Sequence, residues 1–584
     1  MGLAARFHSL VPDLSHTLLR FPVPALASAL LCLWWIVEGV GSDSAGSVIA
    51  GGAAAFIAAG AAHLFAEGRN WPAIHGVLLA LAAALALACV GYFTSVFATN
   101  HLFLFLGLIP LLMVAGHLRA DTSQGALWLF NARLWLAAFL AVVVGLLLAA
   151  GLTAIVGALD FLFGVDPPAK LYERIWGLAV SLVAPLYGLS LVPRHLDEEI
   201  DMGREKGSLH ERGVSVLVNY VLVPVALIYA LILHAFAAKI ALVGELPRDQ
   251  VATMVAIYAG GGTAVWLVGW PWREQGALPL RLFNRGWFYL TPVPTLLLAL
   301  AIGRRLSDYG VTPDRYGIVI VALWMGFVTL YLAWRRNLAD MRAVIAAIGL
   351  LLLVGALGPF GANGLTVASQ YQRLTALLAD NGLLVDGKAK PAAALLPAEL
   401  GASGYSMLEA IRAAGGLERL KPLFAGARDD PFAAHSDQWN RMTAIAAFMG
   451  LTAGPVNADF VSFAANTPAA IEIAAGRLVG PFVAYQRNDM ATPQPMTAAI
   501  AGEKLVIWLE NDVLEVELEG LLTELRAGMT ANVASQKPIA VTIAPGVRLV
   551  MVSFYGNPTA TPRLTSASFW LILPPPAPAD QATP

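Results

Sequence analysis

The chain changes character around one short polar stretch, which reads Ala301-Ile-Gly-Arg304-Arg305-Leu-Ser-Asp308-Tyr309-Gly310-Val-Thr-Pro313-Asp314-Arg315-Tyr316. Nearly everything before this stretch is apolar, and two further apolar segments follow it directly. After about residue 361, no apolar segment reaches the roughly 20 residues that a helix needs to cross a bilayer. The stretch therefore lies near the end of a predicted membrane half, and a more polar half follows it.

The composition is typical of a polytopic membrane protein. Of the 584 residues, 58% are hydrophobic and 13% are charged, whereas a soluble domain carries about 25% charged residues. The net charge of −2 gives no field that would attract nucleic acid, so we expect no nucleic-acid partner. Both cysteines, Cys32 and Cys89, lie in apolar segments, and we expect no disulfide, no metal site and no cofactor.

The hydropathy pattern predicts a polytopic α-helical membrane bundle of about eleven spans. They lie at about 21–40, 46–66, 72–96, 101–118, 132–159, 176–193, 214–239, 249–270, 287–303, 315–334 and 342–358. Four prolines fall within these spans, where they should kink a helix or free a carbonyl group. They are Pro185, Pro224, Pro292 and Pro294.

Small residues are concentrated in the second and eighth predicted spans. The second contains Gly51, Gly52, Ala53 and Gly60, and the eighth contains three consecutive glycines at 260–262. Such residues let helix backbones approach closely. An unwound segment that lines a substrate path is the alternative interpretation.

The distribution of Lys and Arg predicts which side of the membrane the chain starts on. With the N-terminus inside, the inner loops hold about fifteen of these residues and the outer loops about seven. This asymmetry favours a cytoplasmic N-terminus, and an odd number of spans then places the C-terminal half outside. The largest inner loop, from Arg194 to Arg212, mixes both charge signs and predicts a solvated helix, with a partner-docking surface as the alternative.

Four ionisable residues fall at membrane depth in these predicted spans. Glu38 ends the first span, His63 and Glu67 share a helix face near the end of the second, and His234 lies in the seventh. Ionisable groups inside a bilayer are costly and often functional. Because these residues lie within a turn or two of an interface, their side chains could also reach water, so both interpretations stay open.

The polar stretch itself predicts a tight helical hairpin. Arg304 and Asp308 are spaced to pair on one helical turn, and Gly310 suits the end of a helix. Thr312-Pro313 suits the start of the next one. Arginines on the outer side run against the general charge trend. They are either neutralised by neighbouring aspartates, or they hold an anion or lipid headgroup or dock the C-terminal domain. The predicted site comprises Arg304, Arg305, Asp308, Tyr309, Arg315, Tyr316, Gln370 and Arg373.

The same residues carry a resemblance to a known family. Ala301-Ile302, Arg305, Tyr309-Gly310-Val-Thr312, Arg315-Tyr316 and Leu323-Trp324 resemble the signature of the bacterial membrane-protein family called domain of unknown function 4153. Gly358-Pro359, Ser369-Gln370, Arg373-Leu374 and Leu246-Pro247 extend the resemblance, which covers roughly residues 175–425. It implies a polytopic bacterial protein with an extracytoplasmic C-terminal part. It implies no catalytic residue.

The C-terminal half predicts an amphipathic helix and then an α+β domain. Apolar residues at helical spacing after Gly361 predict an interfacial helix. Ser406 and Glu409 form a capping box, Gly415-Gly416 should end that helix, and Asp437 caps another that ends at Gly450.

The period changes to two beyond residue 471, which predicts an antiparallel sheet. The first hairpin joins 505–509 to 514–518 through Asn511-Asp512, and the second turns at Pro545-Gly546. A last strand follows at 569–573. Glu515, Glu517 and Glu519 should line one face of a strand, as a solvated face or as a cation site.

These patterns together predict five regions. They are a cytoplasmic N-terminus at 1–20, a transmembrane domain at 21–360, an interfacial helix at 361–384, an extracytoplasmic α+β domain at 385–573 and a disordered tail at 574–584. The expected location is the bacterial inner membrane. The expected partners are the lipid bilayer and, through the C-terminal domain, envelope proteins.

No sequence motif fixes a reaction, so three functions remain open. The chain contains no His-Glu-x-x-His, Walker or Gly-x-Ser-x-Gly motif. We expect a non-catalytic envelope protein for sensing, regulation or assembly, because an outer domain is rarely needed for simple transport. A transporter of a small molecule or lipid is the first alternative. A membrane-embedded enzyme acting on lipid or cell-wall intermediates is the second.

Overall fold

The fold is described from a computed structural model. It describes residues 14–41, 44–93, 98–119, 121–199, 215–244, 251–274, 276–335, 339–427, 430–434, 437–451, 461–464, 477–485, 496–509, 512–528, 538–556 and 564–574. Several predicted features lie wholly or partly outside these residues. They include the start of the N-terminal segment (1–13), most of the inner loop (200–214), Leu246-Pro247, the ends of three predicted spans (94–96, 214 and 249–250), the turn residue Asn511 and the tail from 575. The chain forms two compact units, residues 1–369 with 413–415, and residues 370–412 with 416–584.

The first unit is helical, and each of the eleven predicted spans overlaps one of its helices. The helices are α1 (Leu14–Arg20), α2 (Pro22–Val37), α3 (Ala45–Gly68), α4 (Ala73–Phe93), α5 (Ala98–Ala115), α6 (Gln124–Phe163), α7 (Ala169–Leu178), α8 (Ala184–Ser190), α9 (Val223–Val243), α10 (Val251–Val268), α11 (Leu278–Leu290), α12 (Pro292–Tyr309), α13 (Pro313–Arg335), α14 (Met341–Ala356) and the start of α15 (Ala362–Asp380).

Several of these helices have the length and composition to cross a bilayer. In the described residues, five do so: α3, α4, α6, α13 and the helix Ser215–Val243 that ends in α9. Two bent pairs, α1 with α2 and α11 with α12, raise the number to seven if each pair is one span. Shorter apolar helices occur at His101–Ala115, Ala252–Val268 and Met341–Ala356.

Glycines bring helices of the first unit into direct backbone contact. A Cβ atom on Gly51 would lie 2.8 Å from the Ala88 carbonyl oxygen, and one on Gly91 would lie 2.8 Å from the Gly51 Cα atom, so α3 and α4 cross there without side chains between them. Gly262 on α10 lies against the indole ring of Trp287, where a Cβ atom would be only 1.9 Å from a ring carbon. At these positions the glycines serve close packing.

The proline-containing spans show how the structure accommodates a missing amide. A π-helical turn, Ala179–Val183, joins α7 to α8 just before Pro185, and another, Val218–Leu222, precedes α9 and Pro224. A proline ring would clash with the carbonyl four residues earlier, and the wider turn relieves that clash. The carbonyl of Ser181, four residues before Pro185, accepts a hydrogen bond from the Ser28 hydroxyl of α2.

The bend between α11 and α12 follows the same rule. The two helices meet at an angle of 50° next to Pro292 and Pro294. The carbonyl of Leu290, four residues before Pro294, accepts a hydrogen bond from the Tyr258 hydroxyl of α10 at 3.2 Å. Freed carbonyls inside an apolar bundle thus find donors on neighbouring helices, as the absence of water there requires.

The second unit begins with the rest of α15 and a small helical core. The hairpin β1 (Leu384–Val385) and β2 (Lys388–Ala389) precedes α16 (Ala398–Ala413), a 3₁₀ segment at Leu417–Phe424, α17 (Pro431–Ala434) and α18 (Gln438–Phe448). Asp437 caps α18 as predicted, because its carboxylate accepts from the amides of Trp439 and Asn440. The predicted capping box was wrong, because Ser406 lies in the middle of α16.

The remainder of the second unit contains two antiparallel sheets. The strands are β3 (Val461–Ala464), β4 (Arg477–Tyr485), β5 (Thr497–Ala501), β6 (Lys504–Trp508), β7 (Val513–Glu517), β8 (Ile539–Ala544), β9 (Val547–Gly556) and β10 (Leu564–Leu573), with α19 (Leu518–Gly528) between β7 and β8. One sheet has the order β3-β9-β10-β4 with β8 beside β9, and the other has the order β5-β6-β7. Their apolar faces share one core, which includes Leu505, Leu549 and Phe569.

Both predicted hairpins are present: the turn of the second is confirmed at Pro545-Gly546, and the strands of the first are shifted by one residue. In the first, Trp508 pairs with Val513 and the Leu509 amide donates to the Asp512 carbonyl, so β6 and β7 each lie one residue earlier than the predicted strands. The second turns at Gly546, whose φ of 76° suits glycine. Glu519 does not continue the strand face, because β7 ends at Glu517. It lies in the first turn of α19, where a carboxylate is favourable.

Candidate functional site

The predicted polar hairpin is the junction between α12 and α13. The first helix ends at Tyr309, and Gly310 has a φ of 72° that a residue with a side chain rarely adopts. The Gly310 amide donates to the Leu306 carbonyl at 2.9 Å. Pro313 opens the second helix, as its fixed φ and missing amide favour. The helix stop and the helix start are both confirmed.

Arg315 holds this hairpin closed. Its guanidinium donates to the carbonyls of Tyr309 at 3.1 Å and Gly310 at 3.0 Å, and it lies 5.3 Å from the centre of the Tyr309 ring. These carbonyls end α12 and have no partner within the helix. A cation is also favourable at a helix C-terminus. Arg315 therefore caps α12 through its side chain.

Two further hydrogen bonds tie the hairpin to the chain that follows the bundle. The Tyr316 hydroxyl donates to the Phe360 carbonyl at 2.9 Å, and the Val311 amide donates to the Ser369 hydroxyl at 3.0 Å. Ser369 lies on α15, 58 residues after Val311. The structure thus brings together residues that the family signature placed far apart in sequence.

The other predicted residues of the hairpin site are distributed around it. Arg304 and Asp308 are exposed on the last turns of α12, and Arg305 is half-buried. Gln370 is buried and Arg373 is half-buried, and both lie on the part of α15 that belongs to the second unit. Within the first unit, Arg315 contacts Tyr309, and Tyr316 contacts Phe360.

Glu67 and His63, two of the four residues predicted at membrane depth, lie where neighbouring helices contact each other. Glu67 accepts from the Arg20 guanidinium at 2.9 Å, and Arg20 also donates to the carbonyls of Val192 at 3.0 Å and Pro193 at 2.7 Å. The His63 ring lies 5.4 Å from that of Phe21, centre to centre. Arg20 therefore links the end of α1, the end of α3 and the segment after α8.

The other two intramembrane candidates lie apart from this group. Glu38 is exposed and follows α2 directly, where its amide donates to the Trp34 carbonyl. His234 is half-buried on α9, and its Nδ1 atom lies 2.7 Å from the Ala230 carbonyl one turn earlier. The four residues do not form one cavity in the described structure.

A polar cluster that the sequence did not predict forms around Arg342 and Asp340. The guanidinium contacts the Asp340 carboxylate at 2.6 Å and donates to the carbonyl of His117 at 2.8 Å and to that of Arg119. Gln124 bridges the same carboxylate at 2.8 Å and the Met341 amide at 2.9 Å. We call these five residues, 117, 119, 124, 340 and 342, the arginine clasp.

The electrostatics of the arginine clasp explain why Asp340 is charged. Burial alone would raise the pKa of this carboxyl, but the hydrogen bonds from Arg342 and Gln124 outweigh burial and hold the pKa below its ordinary value. Further guanidiniums cap helix ends close by: Arg119 donates to the Gly68 carbonyl at 3.0 Å and Arg69 to the Leu118 carbonyl at 2.9 Å. The arrangement fixes helix ends and carries no nucleophile.

From the sequence, these arginines were identifiable only as positive charges of the predicted inner loops. Gln124 and Asp340 are 216 residues apart, so no local pattern joins them. The one available signal was Asp340 just before an apolar run, which is the position of an N-cap. Its side chain does accept from the Arg342 amide at 2.8 Å. Among the described residues, no three His, Cys, Asp or Glu side chains gather in a way that could hold a metal ion.

Comparison with known proteins gives two matches. A family model described as domain of unknown function (DUF4153) matches residues 25–396. The uncharacterized protein PM1469 of Pasteurella multocida is 29% identical over 128 residues, which cover 21% of this chain. The match likewise spans only 21% of that curated relative. No solved structure matches the chain.

Proposed function

The chain belongs to the DUF4153 family, and from this we propose that it is an eleven-span protein of the bacterial inner membrane. Its N-terminus is cytoplasmic, and its C-terminal α+β region lies outside the cytoplasm. That region serves sensing, regulation or assembly in the envelope, and it does so without catalysis. The first unit is the scaffold that holds it at the membrane.

Hydrogen bonds between loops are the observation that supports the proposed topology. A hydrogen bond between two loops at one membrane surface requires an even number of crossings between them. In the eleven-span order, the following arginine contacts between described residues at one end satisfy this rule. They join Arg20 to Glu67, Val192 and Pro193, Arg119 to Gly68, Arg69 to Leu118, and Arg342 to His117.

The contacts at the opposite end obey the same rule. Arg174 donates to the Ile36 carbonyl at 3.1 Å, and the Tyr316 hydroxyl donates to that of Phe360. Four crossings separate the first pair and two separate the second in the eleven-span order. This agreement supports spans for the shorter helices α5, α10 and α14 as well. One further crossing, α14, then separates Arg342 from the chain that enters the second unit.

The proposed topology can be tested with reporter fusions in the bacterial envelope. A reporter fused after Gly207 should be active only in the cytoplasm, and one fused after Gln370 should be active only outside it. Both positions follow complete sets of predicted spans, six and eleven. Reporters that read the same side would refute the topology.

The hairpin between α12 and α13 has two separable roles in this proposal. Arg315 and Tyr316 anchor the chain that leaves the bundle, because they bond the α12 end and Phe360. Arg304, which is exposed one turn before the helix end, contacts an anionic group such as a phosphate or carboxylate. Arginine suits this contact because its planar fork can bind both oxygens at once.

Lysine substitutions should separate these two roles. Arg315→Lys should lower the free energy of unfolding by about 1–2 kcal/mol, because one ammonium group cannot cap two carbonyls as the guanidinium does. Arg304→Lys should leave stability within about 0.5 kcal/mol, yet fail to complement a deletion strain under envelope stress. Complementation by Arg304→Lys at normal expression would remove the anion contact from the proposal.

A further inference from the structure

One face of α11 is exposed in the described structure. Leu280, Phe283 and Trp287 are fully buried, and their spacing of three and four residues places them on the face that meets the core. The exposed residues recur at the same spacing on another face. They are Leu278, Arg281, Leu282 and Arg285.

The composition of this exposed face fits neither water nor hydrocarbon alone. Leu278 is 58% exposed and Leu282 is 60% exposed, which is unfavourable in water. Arg281 and Arg285 are exposed too, which is unfavourable in hydrocarbon. The boundary between headgroups and acyl chains accommodates both kinds of side chain.

The turn before α11 has the side chains typical of that boundary. Tryptophans are enriched where a membrane protein meets the headgroups. The 3₁₀ turn Trp270–Trp272 precedes α11, and the Trp272 ring lies edge-on to Trp128 at 5.7 Å. Gly269 and Gly276 flank this turn, and a Cβ atom on either would lie within 2.8 Å of Leu280, so the turn packs directly on α11.

Among the described residues, no acidic side chain forms an ion pair with an α11 arginine. Glu274 is the nearest acidic residue in sequence, and its carboxylate lies 3.6 Å from the Arg273 guanidinium. In the described part of the chain, neither Arg281 nor Arg285 has a side-chain partner of its own. The two are four residues apart, or about 6 Å along the helix, so they present their guanidiniums on one face. The charge complement of such a face is anionic.

We propose that the exposed face of α11 binds the headgroups of anionic phospholipids in the cytoplasmic leaflet. Arg281 and Arg285 contact the lipid phosphodiester, and each guanidinium can donate two hydrogen bonds to it. Leu278 and Leu282 lie against the upper acyl chain. The inference rests on the membrane placement proposed above and adds a lipid class to it.

Lipid retention by the full-length protein tests this inference. The protein is purified in detergent, incubated with equal amounts of phosphatidylglycerol and phosphatidylethanolamine, and the retained lipid is measured by mass spectrometry. The natural chain should retain phosphatidylglycerol in preference. The double variant Arg281→Gln/Arg285→Gln should lose that preference by about 25-fold, roughly fivefold for each arginine.

A matched pair of arginines in the second unit provides the control. Arg477 and Arg548 are exposed on β4 and β9, and Arg477→Gln/Arg548→Gln changes the net charge equally but should leave the lipid preference intact. If the α11 double variant does not fold, either single variant should show the fivefold loss. Retention without a headgroup preference would overturn the inference alone. A natural chain that stays in solution without detergent would instead overturn the membrane placement.

Discussion

Replacing Arg342 with methionine should lower the free energy of unfolding by about 3 kcal/mol, at the lower end of the cost of breaking a buried ion pair. The side chains of Arg342 and Asp340 are only 16% and 26% exposed. The substitution removes the charged partner of the Asp340 carboxylate. It also removes the donor to the carbonyls of His117 and Arg119. Denaturant unfolding in mixed micelles measures the loss.

The chain offers a matched control for this substitution. Arg133 and Glu198 also form a two-pronged pair, but their side chains are 40% and 46% exposed. Exposed ion pairs contribute about 1 kcal/mol or less, so Arg133→Met should be the milder change. A double-mutant cycle of Arg342→Met with Asp340→Asn then measures the interaction energy between the two side chains. Equal losses in Arg342→Met and Arg133→Met would mean that the arginine clasp does not hold the helix ends together.

Replacing Gly262 with alanine should destabilise the first unit by about 3 kcal/mol, the upper end of the usual cost of overpacking. The new methyl group would lie 1.9 Å from the Trp287 ring. That ring is fully buried against Tyr258 at 5.2 Å and Phe283 at 5.0 Å, so it has no room to move aside. Thermal unfolding in detergent, compared with the natural chain, measures the effect.

The neighbouring glycine provides the control. A Cβ atom on Gly261 would meet nothing within 4 Å. Because alanine is the better helix former by about 1 kcal/mol, Gly261→Ala should be neutral or slightly stabilising. Adding Trp287→Leu to Gly262→Ala should recover part of the loss, since it removes the clashing ring. If Gly262→Ala behaves like Gly261→Ala, then α10 and α11 do not pack as described.

Local sequence signals predicted the helices and their ends well. Eleven apolar segments correspond to helices, Gly310 and Pro313 end and begin helices at the predicted residues, and Asp437 is a helix cap. These features depend on hydrophobicity and on the backbone preferences of a few neighbouring residues. Both properties can be read from the sequence. The capping box at Ser406 failed as a start signal because the helix already begins at Ala398 and includes the buried Gly401 and Gly404.

Features that depend on distant partners could not be predicted. Pro185 and Pro294 predicted freed carbonyls, but only the fold shows that the hydroxyls of Ser28 and Tyr258 reach them. The arginine clasp likewise depends on Gln124 meeting Asp340 across 216 residues. For the hairpin site, the sequence identified Arg315 and Tyr316, but not their partners at Gly310 and Phe360. Tertiary contacts decide these roles.

Cysteine labelling of the full-length chain tests the central claim, the topology, most directly. The chain has only Cys32 and Cys89, so a background without them is simple to make. Asp121→Cys and Glu399→Cys then place single thiols at exposed positions in the first and second units. In intact spheroplasts, a membrane-impermeant maleimide should label Glu399→Cys, and should label Asp121→Cys only after the membrane is opened. Labelling of both thiols in intact cells, or of Asp121→Cys alone, would contradict the account.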